Sequence, residues 1–121
     1  MISIELMGGL GNQLSQIFTV IAYSLEHQIP FCLPRVKPKW DRRPLYFDSV
    51  LSELTQFTTT SLPGPVVPYR ESGFRYTKIP TYQSSVRLHG YFQAHRYFDP
   101  YRDEILRLIQ FKQKGSTIYQ P

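Results

Sequence analysis

The chain has 121 residues, of which 41% are hydrophobic and 19% charged, and it carries 10 prolines, one cysteine and a formal net charge of +5. This length predicts at most one domain with its own core, the composition excludes a disordered chain, and the prolines argue against an all-helical bundle. The lone Cys32 excludes an intramolecular disulfide and a multi-cysteine zinc site, whereas the basic charge fits nucleic acid, nucleotide phosphates or a membrane surface without choosing among them.

The first predicted unit consists of a strand, a glycine loop and a helix. Residues Ile2–Met7 alternate and are rich in β-forming side chains, which predicts a strand. The glycine loop spans residues 8–11, and Asn12 is the expected N-cap of the helix. From Leu14 onwards apolar residues recur at intervals of three and four, which predicts an amphipathic helix that ends near Gln28.

A second strand is expected directly after this helix. Pro30 disfavours helix at the residue before it, and Phe31–Leu33 is a short apolar run. Strand, loop, helix and strand in this order predict a right-handed βαβ unit, so the fold class indicated is α/β with a mostly parallel sheet. Cys32 lies within the second strand, which favours a core residue in a reducing compartment over a nucleophile.

The middle of the chain gives weaker signals. Residues 34–44 combine proline, lysine and arginine around Trp40 and predict a basic loop. A short helix is predicted over Leu45–Leu54, because its apolar residues would share one side. Residues Thr58–Pro68 are rich in threonine, proline and glycine, which predicts irregular surface, and Tyr69–Tyr82 is expected to form an ordered loop.

The last part of the chain predicts one strand and one helix. Val86–Phe92 has the composition of a strand. Asp99 and Pro100 suit the N-cap and the first position of a final helix. Residues 111–121 show no strong pattern. The apolar face of the final helix is expected at Tyr101, Ile105 and Leu108.

The most informative local motif is the run GGLGNQ at residues 8–13. Glycines allow a sharp turn and a close approach of a ligand, and the helix N-terminus behind them offers free N–H groups to an anion. The amides of Asn12 and Gln13 can bind a sugar hydroxyl or a phosphate oxygen. The residues alone support a phosphate-binding loop and a purely structural tight turn equally. The run matches neither a dinucleotide fingerprint, whose third glycine position is Leu14, nor a P-loop, which requires Gly-Lys-Ser/Thr.

Four blocks in order resemble one enzyme family. The run GGLGNQL at residues 8–14 is similar to the N-terminal signature of glycosyltransferase family 11, the α-1,2-fucosyltransferases. RPLYFDS at residues 43–49 resembles the second block of that family, and residues 69–80 resemble a third. LHGYFQ at residues 88–93 resembles the fourth block of the family, and Tyr97 and Phe98 follow it at the distance that the block requires. The resemblance therefore covers nearly the whole chain.

The resemblance implies a Rossmann-like N-terminal half of the two-domain glycosyltransferase B architecture. It also implies inverting, metal-independent transfer of L-fucose from GDP-fucose to a galactoside hydroxyl, with GDP-fucose as donor substrate and no cofactor. Asn12 would contact the donor diphosphate or the reacting sugar, and Tyr91 and Gln93 would face the same cleft. No residue is assigned as the catalytic base. By analogy with a similar loop in peptide O-fucosyltransferases, the loop residues expected to line the cleft are Gly9, Gly11, Asn12 and Gln13.

The donor-binding signature of the family, His-x-Arg-Arg-x-Asp, does not occur in these residues. Arg42 and Arg43 do not form it, because no histidine stands two residues before Arg42 and Leu45 occupies the aspartate position. The arginines of that signature would neutralise the departing GDP. The expectation is therefore that residues 1–121 are a single acceptor-side domain of a truncated enzyme, with the donor-binding domain absent and little or no activity in the isolated chain.

The histidines and the basic loop are weaker candidates. Histidine suits a general base near neutral pH, but no carboxylate neighbour is evident for His89 or His95, and a structural or surface role is preferred for both. His27 is expected to face the negative end of the first helix. The basic residues between Arg35 and Arg43 are better explained as a solvated loop than as a phosphate or nucleic-acid site.

The leading hypothesis is thus a fucosyltransferase-like enzyme whose partners are GDP-fucose, a glycan acceptor and a missing C-terminal half. The second hypothesis is a non-catalytic glycan-binding remnant of the same fold. The third, well behind, is a basic nucleic-acid-binding domain, and no nucleic acid is expected under the first two. No signal peptide or apolar membrane span is visible, so a cytoplasmic location, or membrane association through other segments, is expected.

Overall fold

The computed structural model describes residues 1–35, 40–41, 44–47, 51–59, 62 and 64–109. Three short 3-10 helices at Ser52–Phe57, His95–Tyr97 and Asp99–Tyr101 accompany the main elements. The described helices include none that is long and apolar enough to cross a membrane. In chain order the main elements are β1 (Ile2–Ile4), α1 (Leu10–His27), β2 (Leu33–Pro34), β3 (Thr58–Thr59), β4 (Val66–Arg70), β5 (Ser85–His89) and α2 (Arg102–Ile109).

All strand pairs of the described sheet are parallel. β5 lies between β1 and β4, with Val86 opposite both Ile2 and Val67. On the other side of β1, Phe31 forms a parallel β-bridge with Ile2. β2 follows Phe31 in the chain and pairs with β3. The spatial order is therefore β3, β2, β1, β5, β4. The predicted α/β class with a mostly parallel sheet is confirmed at this level.

The order of the strands creates a crevice beside β1. From β1 the chain moves outward through β2 to β3, and it resumes on the opposite side of β1 with β4 and β5. In open parallel sheets, ligands bind at the carboxyl ends of the strands where the order reverses in this way. The loops after β1 and β5 are thus in the position that a ligand site is expected to occupy.

The two faces of the sheet differ in character. Ile2 and Ile4 of β1 and Leu88 of β5 are fully buried, and they belong to the same core cluster as Ile17 and Val20 of α1. Burial of each such side chain contributes about 1.5–3 kcal/mol to folding. Because side chains alternate along a strand, the opposite face carries polar residues. The polar residues of β1 and β5 on that face include Ser3, Arg87 and His89, and Glu5 follows β1 there.

The bounds of α1 show one agreement and one correction. The helix ends at His27, which confirms the end predicted near Gln28, and Gln28, with φ of 54°, forms a left-handed cap. The predicted N-cap, Asn12, is wrong, because α1 begins at Leu10 with Gly9 as N-cap and without a side-chain cap. Gly8, at φ of +82°, completes the turn early enough for the helix to start before Asn12.

The strands predicted in the first and last parts of the chain are present with shifted bounds. β1 ends at Ile4 and not at Met7, and the second strand forms as the Phe31 bridge followed by Leu33–Pro34. β5 ends at His89, before Tyr91 and Phe92. The reason is that Gly90 at φ of +149° leaves the extended conformation.

The middle of the chain departs most from the sequence prediction. The helix predicted over Leu45–Leu54 is wrong for the described residues, because residues 44–47 are not helical and the 3-10 helix lies at Ser52–Phe57; residues 48–50 lie outside the described part. The region Thr58–Pro68, predicted to be irregular, contains β3 and the start of β4. Strand pairing overrides the turn-like composition here, and Pro68 is tolerated because β4 is an edge strand of the described sheet.

The final helix forms, but its predicted start is wrong: α2 begins at Arg102, and Asp99 and Pro100 lie in a 3-10 helix before it whose N-cap is Phe98. Its buried face also differs in one residue. The 3-10 helix Asp99–Tyr101 leads into α2, in which Ile105 is 1% exposed. Leu108 is 37% exposed, so its predicted place on the apolar face is wrong, and Ile109, 5% exposed, takes it. Ile105 and Ile109 are four residues apart and share a helix side. Residues 111–121 lie outside the described part of the chain.

Candidate functional site

The glycine loop leads from the carboxyl end of β1 directly into α1. The backbone N–H of Gly8 donates to Oδ2 of Asp41 at 2.7 Å, and Asp41 is only 7% exposed. The N–H of Gln13 donates to the carbonyl of Gly9 at 3.0 Å, which closes the first turn of the helix. A buried side chain from a distant segment thus holds the start of the loop, while the helix holds its end.

Gln13 lies beneath the glycine loop and not on its surface. Its side chain is fully buried, and Nε2 donates to the carbonyls of Gly8 at 3.0 Å and Pro44 at 2.9 Å. Both amide hydrogens are therefore committed to the protein backbone. The structure differs here from the expectation that Gln13 lines the cleft. Its side chain is buried on the core side of the loop and holds the loop in place through the carbonyl of Gly8.

A second buried glutamine, Gln16, joins the loops that follow β1 and β5. Its Oε1 accepts the N–H of Met7 at 3.1 Å, and its Nε2 donates to the carbonyl of Gly90 at 2.9 Å. Leaving a buried donor or acceptor without a partner costs about 1–3 kcal/mol, so this bridge fixes the two loops relative to each other.

The predicted site residues Asn12 and Gln93 are in direct contact. Nε2 of Gln93 donates to Oδ1 of Asn12 at 2.6 Å, across a separation of 81 positions in the chain. Gln93 is exposed and Asn12 is half-buried, as is Tyr91 in the same turn as Gln93. We call residues 8–13 and 90–93 together the glycine-loop site. The structure thus brings together two groups of residues that the sequence analysis assigned to one cleft.

The glycines of this site fall into two kinds. A Cβ atom at Gly8 would lie 2.6 Å from Nδ2 of Asn12, and a Cβ at Gly90 would lie 2.5 Å from Cβ of Glu71. At Gly9 and Gly11, by contrast, a Cβ atom would meet nothing within 4 Å, and neither residue has a positive φ. Gly8 and Gly90 are therefore required by the fold, whereas Gly9 and Gly11 leave open space above the loop.

Glu71 shapes the second loop of the site. Its Oε1 accepts the backbone N–H groups of Tyr91 at 3.1 Å and Phe92 at 3.0 Å. Phe92 is fully buried with φ of 51°, a conformation that costs a non-glycine residue about 1–3 kcal/mol. The carboxylate of Glu71 and the packing of Phe92 together offset this strain.

Tyr97 supports Phe92 from the side. The two rings form an edge-to-face pair with centroids 5.2 Å apart, and the Tyr97 hydroxyl accepts the N–H of Thr77 at 3.1 Å. Burial raises the pKa of Tyr97 above its ordinary value of 10.0, and the hydrogen bond from Thr77 opposes this effect only in part. The phenol therefore remains protonated at neutral pH and contributes packing and a hydrogen bond to the second loop.

His89 has a carboxylate partner that the sequence analysis did not find. Its Nδ1 lies 3.1 Å from Oε1 of Glu5, and the two side chains are 23% and 36% exposed. The expectation that no carboxylate orients this ring is therefore wrong. Ile4 lies opposite Leu88, so Glu5 falls beside His89 in the next row of the sheet. By contrast, His95 is exposed, and its ring lies 5.7 Å from that of Phe98.

The predicted basic loop is only partly described. Trp40 is 68% exposed and Arg35 is exposed, but residues 36–39 and 42–43 lie outside the described part, so the nucleic-acid alternative is not tested there.

Among the described residues, no group of three or more histidine, cysteine or acidic side chains is placed to hold a metal ion. Cys32 is 6% exposed, and burial raises the pKa of its thiol, so its predicted place in the core is confirmed.

Three residues that organise the site were missed by the sequence analysis. Gln16 had a usable signal, because with Gln13 it falls on the same helix side as Ile17 and Val20, in the i, i+3, i+4, i+7 pattern of a core stripe. Polar residues on such a stripe indicate buried amides. Asp41 and Glu71 had no comparable signal, since each acts through backbone groups more than 15 positions away.

Comparison of the chain with protein-family models, with curated proteins and with solved structures found no match.

Proposed function

We propose that this chain is the acceptor-side domain of an inverting, metal-independent fucosyltransferase that transfers L-fucose from GDP-fucose to a galactoside hydroxyl. The observation that carries the proposal is the hydrogen bond between Asn12 and Gln93. It joins the first and the fourth of the family-like blocks in one site, at the carboxyl ends of neighbouring parallel strands. Two blocks that meet in this way support a shared function better than either block alone.

The chemistry of the glycine-loop site suits a sugar and its phosphate. Amide side chains such as those of Asn12 and Gln93 both donate and accept, as sugar hydroxyls do. The first turn of α1 has unpaired N–H groups, no acidic residue and no side-chain cap, so it favours negative charge. The open space above Gly9 and Gly11 allows a ligand to approach the backbone closely.

The proposed reaction divides between two domains. The acceptor hydroxyl attacks the anomeric carbon of fucose and loses its proton, while the bond from that carbon to GDP breaks and its electron pair leaves on the diphosphate. On this proposal the N-terminus of α1 and Asn12 orient the reacting sugar and stabilise negative charge, and a donor-binding domain supplies the arginines that neutralise GDP. No base is assigned.

The test restores a donor-binding half. The chain is fused to the donor-binding domain of a known α-1,2-fucosyltransferase, and GDP release from GDP-fucose is measured with and without lactose as the acceptor. We expect release that depends on lactose and a fucosylated product. A folded fusion that binds GDP-fucose but releases no GDP with lactose or any other galactoside would overturn the proposal.

The matched variants are Asn12→Ala and Gln56→Ala. Asn12→Ala should lower lactose-dependent turnover about 100-fold, as expected for loss of a polar group in contact with the reacting sugar. Gln56 is an exposed glutamine on the 3-10 helix Ser52–Phe57, and its substitution should leave turnover unchanged. If instead the isolated chain binds galactosides and no fusion turns over donor, the glycan-binding alternative replaces the transferase proposal.

A further inference from the structure

A second cluster of chemistry-bearing side chains lies on the polar face of the sheet. Glu5 follows β1, Arg35 follows β2, and Arg87 and His89 belong to β5. These four side chains line a cavity of about 180 Å³. We call this cavity the polar-face pocket. It also lies near the carboxyl ends of the parallel strands, but on the face of the sheet opposite α1.

The pocket carries positive charge that the described residues do not neutralise. Arg87 is half-buried as a residue, and among the described residues its guanidinium has no hydrogen-bond or ion-pair partner. Its charge does act locally, since it opposes the rise that burial causes in the pKa of Cys32. A partly buried cation without a partner is unfavourable, and a bound anion would relieve that cost.

Arg35 supplies a second guanidinium to the same cavity. Its Nε donates to Oγ1 of Thr58 at 2.7 Å, and its backbone N–H donates to the carbonyl of Thr59 at 3.1 Å. The bond to Thr58 holds the side chain at Nε and uses one of its five side-chain donors, whereas the bond to Thr59 holds only the backbone. Its terminal nitrogens have no partner among the described residues, so they are available to a ligand.

The carboxylate in the pocket does not pair with either arginine. Glu5 instead contacts Nδ1 of His89 at 3.1 Å. Arg70 of β4 lies opposite His89 in the sheet register and adds positive charge to the same row. The two arginines that line the pocket thus outnumber its one carboxylate.

We propose that the polar-face pocket binds the phosphoryl group of a small phosphate ester. Each guanidinium fork can bind a phosphate through two parallel N–H···O bonds, and a tetrahedral phosphoryl group offers oxygens to two arginines at once, whereas a halide ion cannot accept such paired bonds. The volume of 180 Å³ is several times the ~30 Å³ of one water molecule, enough for a phosphoryl group with part of its ester. This proposal does not depend on the transferase function, because it concerns other residues on another face.

The test measures heats of binding to the 121-residue chain at low ionic strength with glucose 6-phosphate, inorganic phosphate and glucose as probes. We expect both phosphates to bind and glucose not to bind. Tighter binding of the sugar phosphate identifies an ester as the preferred source of the phosphoryl group, and equal binding identifies the phosphoryl group alone. Absence of binding by both phosphates at millimolar concentration, or equal binding of glucose, overturns the proposal.

Variants assign the binding to the pocket. Arg87→Gln and Arg35→Gln should each weaken phosphate binding about tenfold or more, and Arg87→Lys should weaken it less, because it keeps the charge and loses the planar fork. Arg75→Gln removes the same charge from an exposed loop and is the matched control, expected to change the affinity less than twofold. Arg35 is exposed, so its variant remains informative if Arg87→Gln does not fold. Equal weakening by Arg75→Gln and Arg35→Gln would show a non-specific charge effect and overturn the proposal.

Discussion

The two candidate sites of this chain lie at the same end of one sheet but are built in opposite ways. The glycine-loop site is held by backbone turns and by buried amides such as Gln16, with little charge at its surface. The polar-face pocket is lined by side chains of Arg35, Arg87, Glu5 and His89 that are at least partly exposed. The first site should therefore be sensitive to changes in the fold, and the second to salt and charge.

The largest effect that would test this contrast is expected from Gly90→Ala. The new Cβ would meet Glu71 at 2.5 Å at a φ of +149°, and strain of this kind costs about 1–3 kcal/mol with a similar penalty for overpacking. We expect the free energy of unfolding to fall by about 3 kcal/mol, measured by urea denaturation. Gly9→Ala is the control and should change it by less than about 1 kcal/mol. Equal losses in the two variants would contradict the division of the glycines into two kinds.

A smaller loss is expected from Gln16→Leu. This change leaves the N–H of Met7 and the carbonyl of Gly90 without their buried partner, and the expected destabilisation is about 2 kcal/mol in the same denaturation experiment. Gln56→Leu removes an exposed amide of equal size and should cost less than about 0.5 kcal/mol. Equal stability of the two variants would show that the hydrogen bonds of Gln16 to Met7 and Gly90 do not contribute to the free energy of unfolding.

Alkaline pH should weaken the support of the second loop. The pKa of Tyr97 is raised in the folded state, so the folded protein binds more protons than the unfolded chain above pH 10, and stability falls as the pH rises through that range. Tyr23 and Tyr69 act in the same direction. Tyr97→Phe should flatten the decline between pH 9 and 11 relative to the unmodified protein, as followed by thermal unfolding. An unchanged slope would show that Tyr97 titrates normally.

The smallest effect is expected in the polar-face pocket. Glu5→Gln removes one partner of a pair whose side chains are about a quarter and a third exposed, and such pairs contribute about 0–1 kcal/mol. The free energy of unfolding should therefore change by less than about 1 kcal/mol, and phosphate binding should strengthen because a negative charge is lost. A loss as large as that of Gln16→Leu would place this pair among the structural elements of the fold.

The parts of the fold that could be predicted from sequence are those with local causes. The helix period from Leu14 and the βαβ order depend on neighbouring residues, and both are present in the structure. β4 was missed because its composition resembles a turn, and only its pairing with β5 makes it a strand. Long-range pairing of this kind leaves little trace in a single sequence.

The candidate sites show the same difference between features with local causes and features that depend on long-range contacts. Asn12 and Gln93 could be named from their motifs, whereas the partners Asp41 and Glu71 could not, because each bonds to backbone groups far away in the chain. The pairing of His89 with Glu5 becomes visible only once the register of β1 and β5 is known. Residue types can thus suggest the chemistry, but strand register decides which of them meet.

Pro68 in β4 affects how the sheet can associate with other chains. Glu71 donates its N–H to His89, and donors alternate along a parallel strand, so the nitrogen of Pro68 faces away from β5, at the outer edge of the described sheet. A proline there offers no N–H to an incoming strand. It therefore interrupts the ladder that edge-to-edge aggregation requires, and it protects this edge through the backbone itself.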